Sequence, residues 1–368
     1  MSIKKKKSIT IIGYGNVGKS LVHILQENFI INILSFSKNA KSSKLVTIFK
    51  KNTYENTLDN IYNDVEIALK NTDILIITVP NFLREEIILK VKSCIRDQII
   101  IFIPGIGPSQ FISYKYLRGN RVFCLERVPF ISRYIDDKEY ILDDRKIIKY
   151  ASMHSDDSID ELLNIMFKKP VLKIDYQLVT LTSSNAILHT SRMYSIFNSK
   201  ETEIFKKEIY FYASWDDKAS RLFNECDNEI MKICQKLYEL EVILNKPISL
   251  MEYYDSTTPK ELTKKIKSIE SFKNIKLKML QLGTDKYILD KKTRFLTEDI
   301  PFGLLMFKGL AELVKIETPN IDKILYWAQN ILGSEYIIDG KLIDFSKTGC
   351  PQNYNIESIK ELYKVFNM

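Results

Sequence analysis

Residues 8–18 read Ser-Ile-Thr-Ile-Ile-Gly-Tyr-Gly-Asn-Val-Gly, so that a short β-branched run leads directly into the pattern Gly-x-Gly-x-x-Gly. Apolar residues then recur at helical spacing up to residue 25. A strand before the glycines and a helix after them is the context in which this pattern binds a dinucleotide. The glycines permit a tight turn and a close approach of the backbone to a pyrophosphate, which the positive end of the helix then faces. The predicted cofactor-binding residues of this segment are Gly13, Gly15, Asn16, Val17 and Gly18.

Strand-like and helical segments alternate after the glycine pattern. Predicted strands occupy residues 31–36, 73–79, 98–103, 121–125 and 171–176. Continuous Ile and Val runs separated by helices indicate a parallel sheet that is covered on both faces. Ligands bind beyond the carboxyl ends of such strands, which places Pro80, 104–107 and 127–130 beside the predicted cofactor. The sequence therefore predicts an α/β, doubly wound Rossmann domain over residues 1–180.

The pattern changes after residue 180. Long amphipathic stretches dominate the rest of the chain, at 185–197, 217–243, 259–269, 300–315 and 320–332. Few segments there have the alternation of a strand. We expect residues 181–368 to form a second, all-helical domain.

Composition excludes several classes of protein. The chain has 368 residues, of which 45% are hydrophobic and 27% charged, so most of it can build a core. No apolar run is long enough to span a bilayer, and we expect a soluble, cytoplasmic protein that binds neither membrane nor nucleic acid. The net charge of +8 is dispersed and suits anionic small molecules. Five scattered Cys and three scattered His predict no metal site.

The end of the second predicted strand bears on the choice of cofactor. NAD-specific sites carry an Asp or Glu there for the ribose 2′-hydroxyl, about 20 residues after the glycines. Residues 34–41 contain no carboxylate. Ser35 and Ser37 can donate hydrogen bonds, and Lys38 and Lys41 can neutralise a 2′-phosphate. The sequence predicts NADP(H) in preference to NAD(H); the alternative is a plain solvated loop.

Two segments of the second half carry residues suited to proton transfer and anion binding. Asn185, His189 and Arg192 share one face of a predicted helix, although a lone His can also be a satisfied core residue. Downstream, Arg294 precedes Asp299, and Pro301 predicts the first turn of another helix. Asp299 can therefore be a helix cap or a catalytic carboxylate. Arg294 can form a surface ion pair or bind a substrate.

The chain resembles the octopine/nopaline (opine) dehydrogenase family over nearly its whole length. The similar segments are GYGNVG at 13–18, ERVPFISR at 126–133, SSNAILHTSRMY at 183–194, FYASWDD at 211–217, YYDSTTPKELTKKIKSI at 253–269 and TEDIPFGL at 297–304. The resemblance implies a nucleotide-binding domain joined to a helical opine domain. It also implies a catalytic His–Asp dyad at His189 and Asp299, and a substrate-binding Arg at Arg294.

The implied reaction is the NAD(P)H-dependent condensation of an α-keto acid with the amino group of an amino acid or another amine, through an imine. Histidine suits the proton steps, and Asp299 would orient the imidazole. Arg294 and Arg192 are candidates for binding carboxylates, with Asn185 beside them. Two alternatives remain open, another Rossmann-plus-helical keto-acid reductase of ketopantoate or 2-hydroxy-acid type, and a non-catalytic NADP(H)-binding regulator. A homodimer is the default expectation for the assembly.

Overall fold

The structure is a computed structural model, and it describes residues 6–36, 44–135, 138–154, 158–199 and 202–368. The chain divides into two compact units, residues 1–180 together with Met368, and residues 181–367. None of the helices in the described ranges is long and apolar enough to cross a membrane.

The first unit alternates strands with short helices. Its strands are β1 Ser8–Ile12, β2 Ile30–Leu34, β3 Lys44–Phe49, β4 Asn52–Thr57, β5 Asn60–Tyr62, β6 Ile74–Ile77, β7 Ile99–Phe102, β8 Val122–Leu125, β9 Phe130–Ile135, β10 Lys138–Asp144, β11 Ile148–Ser152 and β12 Val171–Lys173. Its helices are α1 Asn16–Leu25, α2 Val65–Lys70, α3 Asn81–Val91, α4 Ser109–Tyr116, α5 Asp160–Phe167 and α6 Tyr176–Leu181, which ends at the boundary, and a 3₁₀ turn covers Lys92–Cys94.

The main sheet has the strand order β12-β11-β8-β7-β6-β1-β2-β5. Every residue of β1 and β6 is buried, which explains their continuous Ile content. Neighbouring strands run parallel except β11, which pairs antiparallel with β8. The predicted Rossmann-type sheet is confirmed, and its strand β1 lies between β2 and β6. The ends of these three strands therefore meet at one edge.

A second sheet, with the order β4-β3-β10-β9, was not predicted from the sequence. Residues 52–57 read Asn-Thr-Tyr-Glu-Asn-Thr and are mostly exposed, so they lack the apolar alternation of a half-buried strand. This sheet lies against α1, where the Ser20 hydroxyl donates a 2.8 Å hydrogen bond to Glu139 of β10. It therefore buttresses the helix that follows the glycine pattern.

The second unit is mainly helical. Its helices are α7 Asn185–Phe197, α8 Asp217–Glu239, α9 Leu250–Tyr253, α10 Pro259–Ser268, α11 Arg294–Thr297, α12 Leu305–Val314, α13 Pro319–Leu332 and α14 Ile359–Phe366, with a π-helix at Ile300–Leu304 and 3₁₀ turns at Glu270–Phe272 and Pro351–Tyr354. The helical domain is confirmed, but it is not all-helical. Two small hairpins interrupt it, β13 Met279–Gly283 with β14 Lys286–Leu289 and β15 Ile337–Ile338 with β16 Lys341–Leu342.

Candidate active site

His189 lies in the second turn of α7 and is only 8% exposed. Its Nδ1 lies 2.7 Å from Oδ2 of Asp299, although the two residues are 110 positions apart in the sequence. Both side chains are largely buried, with 10% and 14% of their surfaces exposed. When Asp299 is ionised it only accepts hydrogen bonds, so the Nδ1 nitrogen then carries the proton that it donates to Asp299. The tautomer of the imidazole is thereby fixed.

Asp299 reaches His189 because the chain adopts a π-helix immediately after it. The Leu304 amide donates to the Asp299 carbonyl at 2.9 Å, and the Asp299 amide donates to the Arg294 carbonyl at 3.2 Å, both five residues apart. Asp299 is the N-cap of the π-helix, but its side chain makes no capping hydrogen bond. A local π-helix is rare and is often found at functional sites. Of the two roles open for Asp299, the side-chain geometry thus favours contact with His189 over capping.

Gly303 allows the π-helix to approach α7. A Cβ atom at Gly303 would lie 2.8 Å from the Cβ of Ala186, which is inside ordinary contact distance. Ala186 is three residues before His189, on the same side of α7. The small residues at both positions therefore hold Asp299 and His189 at hydrogen-bonding distance.

Aromatic rings surround the imidazole. The Phe295 ring, from α11, lies 4.2 Å from the His189 ring, centroid to centroid, at an angle of 33°. Phe211 approaches the imidazole edge-on at 5.9 Å. These rings restrict the orientation of His189 and keep water away from the dyad.

Tyr212, which the sequence does not single out as a site residue, contacts the other imidazole nitrogen. Its hydroxyl lies 2.8 Å from Nε2 of His189. Tyr212 belongs to the FYASWDD segment, but no sequence spacing connects residue 212 with residue 189. Contact between the two depends on how the loop before α8 folds back over α7.

The electrostatic environment of Asp299 is set mainly by burial. Burial raises the pKa of the Asp299 carboxyl above its ordinary value, and the adjacent His189 opposes that rise. Removing water disfavours the ionised carboxylate, whereas a cation 2.7 Å away favours it. The charges of the two groups therefore compensate one another when the imidazole carries a second proton.

Arg294 begins α11, five residues before Asp299, and its side chain is 65% exposed. Its Nε donates a 2.6 Å hydrogen bond to Glu298, whose side chain is 9% exposed. Glu298 holds one edge of the guanidinium, so that the rest of this cation remains accessible. The structure thus brings Arg294, Asp299 and His189 into one region of the second unit.

The contacts of Arg192 lie within the second unit, which disfavours it as a ligand for a substrate carboxylate. Its side chain is 4% exposed, and an Arg side chain has five N–H donors. All of them are used within the unit, by the Phe211 carbonyl, Asp216, Ser195, and both the carbonyl and the hydroxyl of Ser214. Arg192 instead joins α7 to the segment before α8.

Asn185 is the first residue of α7 and is half-buried. It lies one helical turn before His189, on the same side of the helix. Its predicted contact with substrate stays a prediction.

The glycine segment of the first unit fits a dinucleotide. Gly15 is exposed at the N-cap of α1, where no acidic side chain lies in the first turn. A Cβ at Gly15 would meet no protein atom within 4 Å, so that space is open to a ligand. A Cβ at Gly18 would lie 2.0 Å from the Gly13 carbonyl oxygen, and this glycine is therefore required by the helix–strand contact. Asn16 and Val17 supply the first amides of the helix.

The other predicted cofactor residues follow the strands on either side of β1. Pro80 is the N-cap of α3, three residues beyond β6, and Ser35 follows β2 directly. Because β1 pairs with both strands in parallel, Pro80 and Ser35 lie at the same edge of the sheet as Gly13. Ser37 and Lys38 lie outside the described residues, as does Lys41. No cluster of metal-ligating side chains occurs among the residues that the structure describes.

Comparison with known proteins shows which family this chain is similar to. The model for NAD/NADP octopine/nopaline dehydrogenase, alpha-helical domain, matches residues 175–332. A tauropine dehydrogenase of Arabella iricolor is 30% identical over 194 residues, which is 50% of this chain and 49% of that protein. An opine dehydrogenase of Haliotis discus hannai is 24% identical over 334 residues, 84% of this chain and 82% of that protein.

A solved structure gives the same result for the fold. An octopine dehydrogenase described with NADH and L-arginine superposes with a TM-score of 0.83 at 19% identity, over 98% of each chain. The family model covers the helical unit that contains His189 and Asp299, and the structural match extends to both units. This chain is therefore similar to the octopine/nopaline (opine) dehydrogenase family in the sequence of its helical unit and in its fold.

Proposed function

We propose that this protein is an opine dehydrogenase, which condenses an α-keto acid with the amino group of an amino acid and reduces the resulting imine with NAD(P)H. One proton is taken up and one water is released for each molecule of product. The observation that carries the proposal is the buried His189–Asp299 pair at 2.7 Å, next to the exposed guanidinium of Arg294. This arrangement combines a proton carrier with an anion ligand.

His189 is the acid and base of the proposed mechanism. Formation of the imine requires a proton to reach the departing hydroxyl of the carbinolamine, and the same group accepts a proton from the amine. Asp299 orients the imidazole through Nδ1 and balances its charge when it is protonated. The aromatic rings of Phe295 and Phe211 limit the access of water to the proton-transfer site, which protects the imine from hydrolysis.

Arg294 is the proposed ligand for a substrate carboxylate. Its guanidinium is pinned along one edge by Glu298 and exposed elsewhere, which suits planar pairing with a carboxylate. Asn185 is the proposed second polar contact of the substrate. We propose pyruvate-like keto acids and α-amino acids as the substrate classes, since pyruvate and L-arginine are named with the solved octopine dehydrogenases.

The nicotinamide cofactor, when bound, supplies the hydride that reduces the imine carbon. The residues proposed to hold it are Gly13, Gly15, Asn16, Val17 and Gly18, with Pro80 and Ser35 at the neighbouring strand ends. The absence of a carboxylate at residues 34–41 favours NADPH over NADH. The open space at Gly15 suits the diphosphate that both cofactors carry. A cytoplasmic location and a homodimer complete the proposal.

The decisive experiment measures oxidation of NAD(P)H with a keto acid in the presence and absence of a panel of amino acids. We expect oxidation that requires both substrates and yields a secondary amine. His189→Ala should abolish turnover while leaving NAD(P)H binding nearly unchanged, and His154→Ala, a half-buried histidine of the first unit, should be active. Oxidation by keto acid alone would instead indicate a hydroxy-acid reductase. Substantial activity in His189→Ala would reject the dyad.

The cofactor preference is tested in the same assay by comparing kcat/KM for NADPH and NADH. We expect the larger value with NADPH. A clear preference for NADH would overturn this part of the proposal and leave the reaction class intact.

A further inference from the structure

Both nitrogens of the His189 imidazole are already engaged within the second unit. Nδ1 faces Asp299 at 2.7 Å and Nε2 faces the Tyr212 hydroxyl at 2.8 Å. With a proton on Nδ1, a neutral imidazole accepts a hydrogen bond at Nε2, and the phenol is the donor. A substrate group that exchanged a proton directly with Nε2 would have to displace the Tyr212 hydroxyl from it.

The Tyr212 ring is held firmly in place. It is 5% exposed, and it stacks on Phe272 at 4.2 Å between ring centroids with an angle of 21°. The indole of Trp215 lies parallel to it at 6.4 Å, and Trp215 is fully buried. Moving the ring away from His189 would break this stack, whereas rotating the hydroxyl about its C–O bond leaves the ring where it is.

We propose that the Tyr212 hydroxyl, which contacts Nε2 of His189, is the group that exchanges protons with the reacting carbinolamine. The inference rests on the proposed function and adds a residue to its mechanism. His189 then acts through Tyr212, and Asp299 acts through His189. The three groups form one chain of hydrogen bonds. Tyr212 comes from the loop before α8, His189 from α7 and Asp299 from the N-cap of the π-helix.

The proton balance of this relay is simple. As the carbinolamine loses its hydroxyl, the Tyr212 O–H bond breaks and its proton joins the departing oxygen, which leaves as water. In the same step the Nε2–H bond of the imidazolium breaks, and that proton restores the phenol. One positive charge passes from the imidazolium to the iminium group, and Tyr212 is neutral before and after. The phenol never ionises, so its high ordinary pKa is no obstacle.

Tyr212→Phe tests the relay because it removes one oxygen and keeps the ring in its stack. We expect kcat to fall by about 100-fold or more, within the range of lost acid–base catalysis, with little change in the KM of either substrate or in cofactor binding. Tyr194→Phe is the matched control, since Tyr194 lies on α7 with its ring against Trp327 at 5.5 Å. It should retain wild-type kcat. A kcat for Tyr212→Phe within about threefold of wild type would overturn the relay.

A solvent isotope measurement separates the relay from a structural role of Tyr212. Two protons in flight predict a curved dependence of kcat on the fraction of D2O in the wild type, and a linear one in Tyr212→Phe. A linear dependence in the wild type would overturn the relay. If the wild type and His189→Ala behave as proposed but Tyr212→Phe is fully active, the relay alone is wrong. If the wild type shows no amine-dependent oxidation at all, the proposed function fails and the relay fails with it.

Discussion

Two arginines show how environment, and not residue type, decides the function of a side chain. Arg192 and Arg294 have the same chemistry, and both lie near residues of the proposed dyad in the sequence. Every N–H of Arg192 is bound within the unit, whereas Arg294 is pinned only by Glu298 and is 65% exposed. One is therefore a structural clamp and the other a candidate ligand.

Replacing each arginine by lysine should separate these roles. Arg294→Lys keeps a cation beside Glu298 but loses the planar fork, so we expect the KM for the keto acid to rise about 10-fold or more with unchanged stability. Arg192→Lys leaves buried carbonyl groups without donors, so we expect a loss of about 2 kcal/mol in the free energy of unfolding and little change in KM. Urea denaturation and steady-state kinetics of both variants check this. Equal effects of the two replacements on KM would contradict the assignment.

The same contrast explains how much of the site the sequence could predict. The sequence predicts roles for His189, Asp299 and Arg294 because the segments that carry them resemble a known family. Tyr212 and Glu298 belong to similar segments, but their roles depend on contacts across the fold that no local pattern encodes. The internal contacts of Arg192 are not predictable from the sequence, because spacing on a helix face does not reveal which loop packs over that face.

At the level of elements, the contact between the π-helix and α7 sets the geometry of the dyad. Gly303 meets Ala186 where a methyl group would come within 2.8 Å of the Ala186 Cβ. Asp299 precedes the π-helix and His189 lies one turn beyond Ala186. Separating the two elements would therefore lengthen the hydrogen bond between Asp299 and His189.

Gly303→Ala should consequently impair catalysis more than folding. The added methyl group must push the π-helix away from α7, at a cost of about 1–3 kcal/mol for overpacking. We expect kcat to fall about 10-fold or more with unchanged NAD(P)H binding, because Asp299 moves relative to His189. The double variant Ala186→Gly/Gly303→Ala removes the 2.8 Å contact and leaves the Cα of residue 186 at 3.1 Å from the added methyl group, so it should recover part of the activity. A lack of recovery would show that this contact does not position the dyad.

Elements differ in how well the sequence predicts them. The buried strands β1, β6 and β7 and the long amphipathic helices α7 and α13 match their predicted segments closely, since burial imposes a clear apolar pattern on each. The sequence does not reveal strands β3, β4, β9 and β10 as one sheet, because the pairing of β3 with β10 joins two hairpins that are distant in sequence. The apolar pattern predicts one helix over 300–315. It does not distinguish the π-helix at its start, because the register of that turn depends on packing and not on composition.

At the level of the whole molecule, the pKa values of acidic groups are shifted in two opposing directions. Burial raises the pKa of Glu139 in the first unit and of Asp227, Glu229 and Asp299 in the second. Hydrogen bonds and ion pairs on the surface lower the pKa of other acids, namely Glu27, Glu239, Glu261 and Glu361. Asp227 and Glu229 accept amide hydrogen bonds at the start of α9 and α13, so the buried acids also join helices.

These two groups of acids affect stability with opposite signs. A raised pKa in the folded state means that the folded protein holds more protons than the unfolded chain, so stability falls as pH rises above about 4 through the raised pKa. A lowered pKa contributes stability that is present above about pH 4 and is lost on acidification. Salt at about 1 M screens the exposed pairs far more than the buried carboxyls. The contribution of the buried acids therefore dominates at high salt.

We expect the free energy of unfolding to fall over the pH range above about 4.5 in 1 M salt, by at most about 1.4 kcal/mol per pH unit for each buried acid, and to change less at low salt. Urea denaturation of the full chain across this range measures the slope. Glu229→Gln should reduce it, because one buried group no longer titrates. The matched control Glu239→Gln changes an exposed residue of the same helix and should leave the high-salt slope as it is. A high-salt stability that increases with pH would refute the dominance of the buried acids.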